Sequence, residues 1–137
     1  MKIAIINDTH WGARSDSQIF LEYFTDFFRE QFFPYLKKNN IDTVLHLGDL
    51  SEFMEPLLRE DITVHCILGN HDTFYKNTND LNSVNELFGD RYSNFFIYQQ
   101  PIDLEFDGVK IGMVPWVNSE NRDGTLEYLK NTKSNII

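Results

Sequence analysis

Asp8-Thr9-His10, Gly48-Asp49 and Gly69-Asn70-His71-Asp72 are the stretches of this chain whose residue types and spacing could do chemistry together. Asp8 and His10 stand two apart, so in extended backbone their side chains point the same way and can grip one ion. A carboxylate beside an imidazole suits manganese, iron or zinc better than magnesium or calcium, which prefer shells of oxygen. Asp49 has two carboxylate oxygens with which to bridge two ions. Asn70 offers a neutral carbonyl oxygen that can hold a second ion without adding negative charge. His71 adjoins that ligand, where an imidazole can donate a proton to a leaving oxygen or steady charge on a phosphate. Asp72 either orients His71 or caps the loop, with capping favoured. Each motif alone is weak, because Asp-x-His triplets and Gly-Asp pairs are common in turns. Taken in order, each directly behind a short apolar run, they read as most of a two-metal centre for phosphate ester hydrolysis.

The elements must then bring the three motifs together. The runs at residues 3–6, 44–47 and 64–68 are short and mostly Ile, Val and Leu, the pattern of strands buried on both faces of a parallel sheet. Ligands of open α/β sheets bind beyond the carboxyl ends of the strands, so these three ends predict one shared crevice. His46 and His65 fall inside the strands and read as structural. After the first motif, Ser15, Asp16 or Ser17 can cap a helix in which Ile19, Phe20, Tyr23, Phe24, Phe27, Phe28 and Phe32 recur at helical spacing. That stripe belongs against the sheet, as in an ordinary crossover, and Pro34 should kink or shorten the last turn. The second crossover has only residues 50–61, close to the shortest helical return to a parallel strand. Further on, the pattern predicts a helix over 81–88, a strand over 95–98 and a hairpin of strands 103–106 and 109–114 about Asp107-Gly108. A helix over 124–130 and the beginning of a strand at 135–137 follow. The fold class is therefore α/β, a mostly parallel sheet with flanking helices plus a β-hairpin, in a single domain over residues 1–137.

Composition narrows the function classes. With 42% of its 137 residues hydrophobic, the chain can build one core. No apolar run approaches the roughly 18 residues that span a bilayer, so a cytoplasmic protein without a membrane partner is expected. Cys66 is the only cysteine; it can form neither an intrachain disulfide nor a cysteine-rich zinc site and reads as a small core hydrophobe. A net charge of −9 argues against a broad basic surface for nucleic acid. It does not exclude a nuclease, because carboxylates that hold divalent ions count as negative while the bound ions present positive charge to a phosphate.

The three motifs resemble those of the calcineurin-like metallophosphoesterases, a four-layer α/β family. Asn70-His71-Asp72-Thr73-Phe74-Tyr75-Lys76-Asn77-Thr78-Asn79-Asp80 and Pro115-Trp116-Val117-Asn118-Ser119-Glu120-Asn121 resemble, more narrowly, the nuclease subunits of phage recombination endonucleases, relatives of SbcD-type double-strand-break repair exonucleases. The likeness runs across nearly the whole chain. It implies a partial four-layer metallophosphoesterase fold and two divalent ions, manganese foremost. Asp8, His10 and Asp49 would hold one ion, Asp49 and Asn70 the other, with His71 as the catalytic histidine. It also implies DNA and an SbcC-type ATPase subunit as partners. The family's later Gly-His and Gly-His-x-His motifs complete both metal shells, yet no histidine follows His71 here. The resemblance thus implies a domain truncated before its C-terminal metal-binding motifs, or a separate chain supplying the missing histidine ligands. The family's Gly-Asp-x-x-Asp reads Gly48-Asp49-Leu50-Ser51-Glu52, before the short crossover where relatives carry a segment used in dimerisation. The expected function is a manganese-dependent DNA exonuclease or endonuclease subunit of a phage recombination or DNA-repair complex, incomplete as it stands. The alternatives are a phosphatase or cyclic-nucleotide phosphodiesterase, and a non-catalytic interaction module that keeps the fold.

Overall fold

The computed structural model describes residues 1–9, 18–50, 61–89 and 91–137. Its frame is a parallel sheet in the order β1-β2-β3-β4, formed by Ala4–Ile6, Thr43–His46, Thr63–Ile67 and Phe95–Tyr98. Ile6, His46, Cys66 and Ile97 lie in register across the four strands. Two residues further along the first three stand Asp8, Gly48 and Leu68, so the register itself brings the predicted motifs to one edge.

One face of the sheet carries Ala4, Ile6, Val44, Val64, Cys66 and Phe95, which pack with Phe28, Leu36, Val84 and Phe88 from the helices. Cys66 is fully buried there, and its thiol is pushed well above the ordinary range by burial and then by the charge of Asp72, which makes it inert. The helices before β2 are α1, Gln18–Phe27, and α2, Phe33–Lys38, joined by a π-helical turn over Phe28–Phe32. Pro34 has no N–H to give Glu30, and the ladder slips by one residue just before it, with the Phe33 N–H meeting the Phe28 carbonyl. The helix is thus neither shortened nor ended at Pro34; it continues to Lys38, and Asn40 closes it in the left-handed conformation at φ 53°. Of the stripe, Phe24, Phe28 and Phe32 face the core, while Ile19, Tyr23 and Phe27 are exposed; Leu21 and Phe33, outside the stripe, pack on the core instead.

Helix α3, Ser83–Phe88, begins two residues later than the pattern suggests, because Asn82 is its cap and accepts the Asn85 N–H at 2.7 Å. Strands β5, Ile102–Phe106, and β6, Val109–Met113, form the antiparallel hairpin. Its turn is the tight type that needs two positive φ angles, and Asp107 (50°) and Gly108 (79°) supply them. Helix α4 spans Arg122–Asn131, and Ile136 then forms one isolated parallel bridge with Ile111 beside β6, where the sequence pattern expects a strand to begin.

The opposite face of the main sheet is only partly covered. Leu45 is buried, and His65 stacks between Phe96 and Tyr98 while Phe106 of the hairpin meets it edge-on. Ile5 on the edge strand β1, however, remains 61% exposed, and Phe96 is exposed as well. Burial on both faces therefore holds for β2 but not for β1, and in β3 one face is only partly buried, because the two-stranded hairpin is too narrow to cover four strands. The proposed helix caps at Ser15, Asp16 and Ser17, and nearly all of the short crossover, lie outside the described residues. Among the described residues no helix is long and apolar enough to cross a membrane.

Candidate metal centre

The ends of β1 and β2 are tied to each other through their backbones, and the loop after β3 packs closely against them. The Asp8 N–H donates to the Gly48 carbonyl at 3.3 Å, and the Leu47 N–H to the Ile6 carbonyl at 2.9 Å. Gly48, at φ 98°, lies so near the next loop that a Cβ on it would stand 2.5 Å from the Gly69 nitrogen. Asp8 (50°) and Asp49 (54°) are both left-handed, a conformation that Asp tolerates better than most residues but that still costs about 1–3 kcal/mol. The premise that paired Asp8 with His10 by strand alternation does not apply at Asp8, since the backbone has left the extended region there. His10 itself lies outside the described residues.

Asp49 and Asn70 meet in a cleft of about 380 Å³ whose walls include Leu47, Gly69, Pro115 and Trp116. Asp49 Oδ1 accepts the His71 N–H at 2.8 Å, which fixes the third motif against the second. Asn7 Nδ2 donates to Asp8 Oδ2 at 2.5 Å. The Lys76 ammonium donates to the Asn70 carbonyl and, at 3.0 Å, to that of Thr73, folding the loop back over its own start. A Cβ on Gly69 would stand 2.3 Å from Asp49 Oδ1 and 2.4 Å from the Asp49 nitrogen. Gly69→Ala is therefore expected to push Asp49 aside, to lower stability by roughly 1–3 kcal/mol, and to weaken divalent-ion binding. Urea unfolding and manganese titration of the variant check both effects.

Asp72 is the fastener of the site. Its Oδ2 accepts the N–H groups of Asp49 at 2.8 Å and Gly69 at 2.7 Å, and its Oδ1 accepts that of Leu50 at 2.8 Å. Burial pushes its carboxyl up to about 6; the three N–H bonds pull the other way, and the charge of Asp49 adds to the rise. Of its two sequence readings, the structure selects capping, with the cap reaching across two strand ends.

His46 is fully buried at the end of β2 and joins the first two motifs. Its Nδ1 accepts the Gly48 N–H at 3.3 Å, so in the neutral ring Nε2 carries the proton and donates to Thr9 Oγ1 at 3.0 Å. Burial lowers its pKa from 6.5 to about 4, with Asp49 opposing. Unfolding returns the ring to 6.5, so the unfolded chain binds the extra proton first. The neutral ring's contribution is thus complete above pH 6.5 and is lost as pH falls toward 4, amounting to roughly 3 kcal/mol. The stability gap between the wild type and His46→Gln should accordingly shrink over that range in urea unfolding. Comparing the two proteins isolates His46 from Asp72, whose raised pKa acts in the opposite direction.

Asp8, Asp49 and Asn70 thus share one edge, and His71 is anchored there through its backbone with an exposed side chain. Among the described residues no three His, Cys, Asp or Glu side chains gather into a metal-holding group. What they offer is two carboxylates and an amide, oxygen donors that fit a divalent ion in kind but do not close a shell. His46 is structural, as the sequence reading has it, and Lys76, Asn79, Asn118 and Asn121 all fall in the two stretches that carry the narrower resemblance. What the sequence does not reveal is that the buried amides of Asn79, Asn118 and Asn121 bond to one another and hold the Trp116 loop.

Residues 1–134 match the family model of the calcineurin-like phosphoesterases. The chain is also 32% identical to exonuclease subunit 1 of Enterobacteria phage T4, over 151 aligned positions that take in 99% of this chain. It spans 44% of that relative's length. The alignment is longer than the 137-residue chain, so within the matched stretch the relative carries residues that have no counterpart here.

Proposed function

Since the chain belongs to the calcineurin-like phosphoesterase family, we propose that it is part of a manganese-dependent DNA nuclease, an exonuclease or endonuclease subunit. In this reading Asp8, His10 and Asp49 hold one ion, Asp49 and Asn70 hold the other, and His71 serves the leaving oxygen. The observation that carries it is the locking of the second and third motifs by the Asp49–His71 and Asp72 hydrogen bonds, which hold the Asp49 carboxylate against the His71 backbone.

When bound, the ions supply an activated water and charge compensation at the phosphate. The chain's own residues do the rest. Asp72 and Gly69 fix the approach of Asp49 to the third loop, Lys76 holds the Asn70 backbone, and His71, its backbone anchored by Asp49, would serve as the proton donor. The domain of residues 1–137 would act with a segment bearing the later histidines, in the same polypeptide or a separate one. Its partners would be DNA and an SbcC-type ATPase subunit in the cytoplasm, that of the host if the gene is viral. The name of the T4 relative, a subunit, supports assembly with another chain.

Adding a segment with the Gly-His and Gly-His-x-His motifs, in cis or in trans, should give manganese-dependent cleavage of linear DNA that Asp49→Ala abolishes. One competing reading is a binding module that keeps the fold. Failure of every complemented form to cleave, beside an active full-length relative, would favour that module.

A further inference from the structure

We propose that the cleft between Asn70 and Trp116 holds a nucleobase stacked on the Trp116 indole, so that nucleic-acid ends with an unpaired base are the substrate class of this site. The inference rests on the phosphoesterase reading above and adds a base platform to it. The Trp116 N–H donates to the Leu68 carbonyl at 2.7 Å, which lays this loop across the end of β3, two residues before Asn70. The Trp116 carbonyl accepts from Asn79 Nδ2 at 3.1 Å and from Asn121 Nδ2 at 2.9 Å. Asn118 braces both, donating from Nδ2 to Asn79 Oδ1 at 2.9 Å and from its N–H to Asn121 Oδ1 at 2.8 Å.

All three amides are buried, yet Trp116, whose backbone they fix, stays 39% exposed. Buried amides that satisfy one another hold a single loop conformation. An aromatic ring on such a fixed backbone loses little freedom on binding, which suits a contact surface. The cleft's lining divides into apolar residues, Leu47, Ile67, Val114 and Pro115 with Trp116, and polar ones, Asp49 and Asn70. A nucleotide has the same division, with a flat apolar base on one side of its sugar and a phosphate on the other. At about 380 Å³ the cleft is also of small-ligand size.

A net charge of −9 gives the chain no general attraction for a phosphate backbone, so the proposed contact with the nucleotide beyond its phosphate is stacking rather than charge. Stacking one base on an aromatic side chain is worth roughly 5- to 150-fold in affinity. A base can meet the indole only after leaving its own helical stack, which favours single-stranded or frayed ends over internal duplex.

The test is fluorescence anisotropy of labelled tetrathymidylate, and of the same tetramer with abasic sugars, titrated with the full chain in manganese. Tetrathymidylate should bind roughly 5- to 150-fold more tightly than the abasic oligomer. Trp116→Ala should remove the difference and Trp116→Phe should keep most of it, with urea unfolding of each variant reporting its fold. Equal binding of the two oligomers, no binding of either by a chain that binds manganese, or undiminished discrimination in Trp116→Ala would overturn the platform alone. Failure of the chain to bind manganese would overturn the metal centre and the platform with it.

Discussion

Purified alone, the 137-residue chain is expected to cleave linear DNA and a small phosphodiester no faster than its Asp49→Ala variant, even in excess manganese. The described residues bring two carboxylates and one amide to the site, and the family resemblance leaves the second ion with Asp49 and Asn70 alone. Two-ion hydrolysis needs both ions held about 3.5–4 Å apart across the reacting phosphate. A half-built shell can bind an ion without setting that distance. In a form complemented with the later histidines, His71→Ala should lower turnover by about 10²–10⁴-fold, the usual worth of a positioned proton donor. Manganese affinity should hardly change, since His71 is not assigned to either ion. Robust turnover by the isolated chain that disappears in Asp49→Ala would show that the missing donors come from within this sequence.

Asp72→Ala should unfold the protein most readily of any single change near the site. It strips the acceptors from three backbone N–H groups, those of Asp49, Leu50 and Gly69. Each donor left without a partner costs roughly 1–3 kcal/mol. Removing a carboxyl whose pKa burial has pushed up to about 6 returns part of this. A net loss of about 4 kcal/mol follows, on the order of 10–25 °C in melting temperature for a domain of this size. Asp72→Asn should fall between. Its amide oxygen can keep the pair of bonds from Asp49 and Gly69, but its NH₂ would then face the Leu50 N–H, donor against donor. Thermal and urea unfolding of both variants measure the effect, and a loss under 1 kcal/mol in Asp72→Ala would contradict the fastener role.

The contrast between these two residues marks how far the sequence carries. The strands were legible because Val, Ile and Leu runs end abruptly at Asp8, Gly48 and Gly69. The hairpin was legible because Asp107-Gly108 has almost no other use between alternating strands. The cap role of Asp72 was half legible, since a carboxylate after a tight loop has backbone donors at hand. Its reach to Asp49 and Leu50 was not, because those donors lie 23 and 22 residues away and are brought near only by sheet register. The same holds for His46 and Thr9, 37 apart, and for Asn79 and Asn118, 39 apart. Pro34 announced a disturbance, but whether a helix breaks, kinks or slips into a π turn depends on the core that grips Phe28 and Phe33 on either side of the slip. The left-handed turn at Asp8 gave no sign, because Asp fits both extended and left-handed backbone.

The central claim is that these strand ends bind a divalent ion through Asp49. Asp8 and Asp49 are brought to one edge, and an ion held by the folded site alone should stabilise the fold. Manganese titration of the wild-type chain and of Asp49→Ala, followed by direct binding and by thermal shift, tests it most directly. The account predicts saturable binding by the wild type and a melting temperature that climbs with manganese, by about 2.7 kcal/mol of added stability at a hundred times the dissociation constant. Asp49→Ala should lose most of both. No concentration-dependent shift in the wild type, beside a clear shift in a complete relative, or an equal shift in Asp49→Ala, would contradict it.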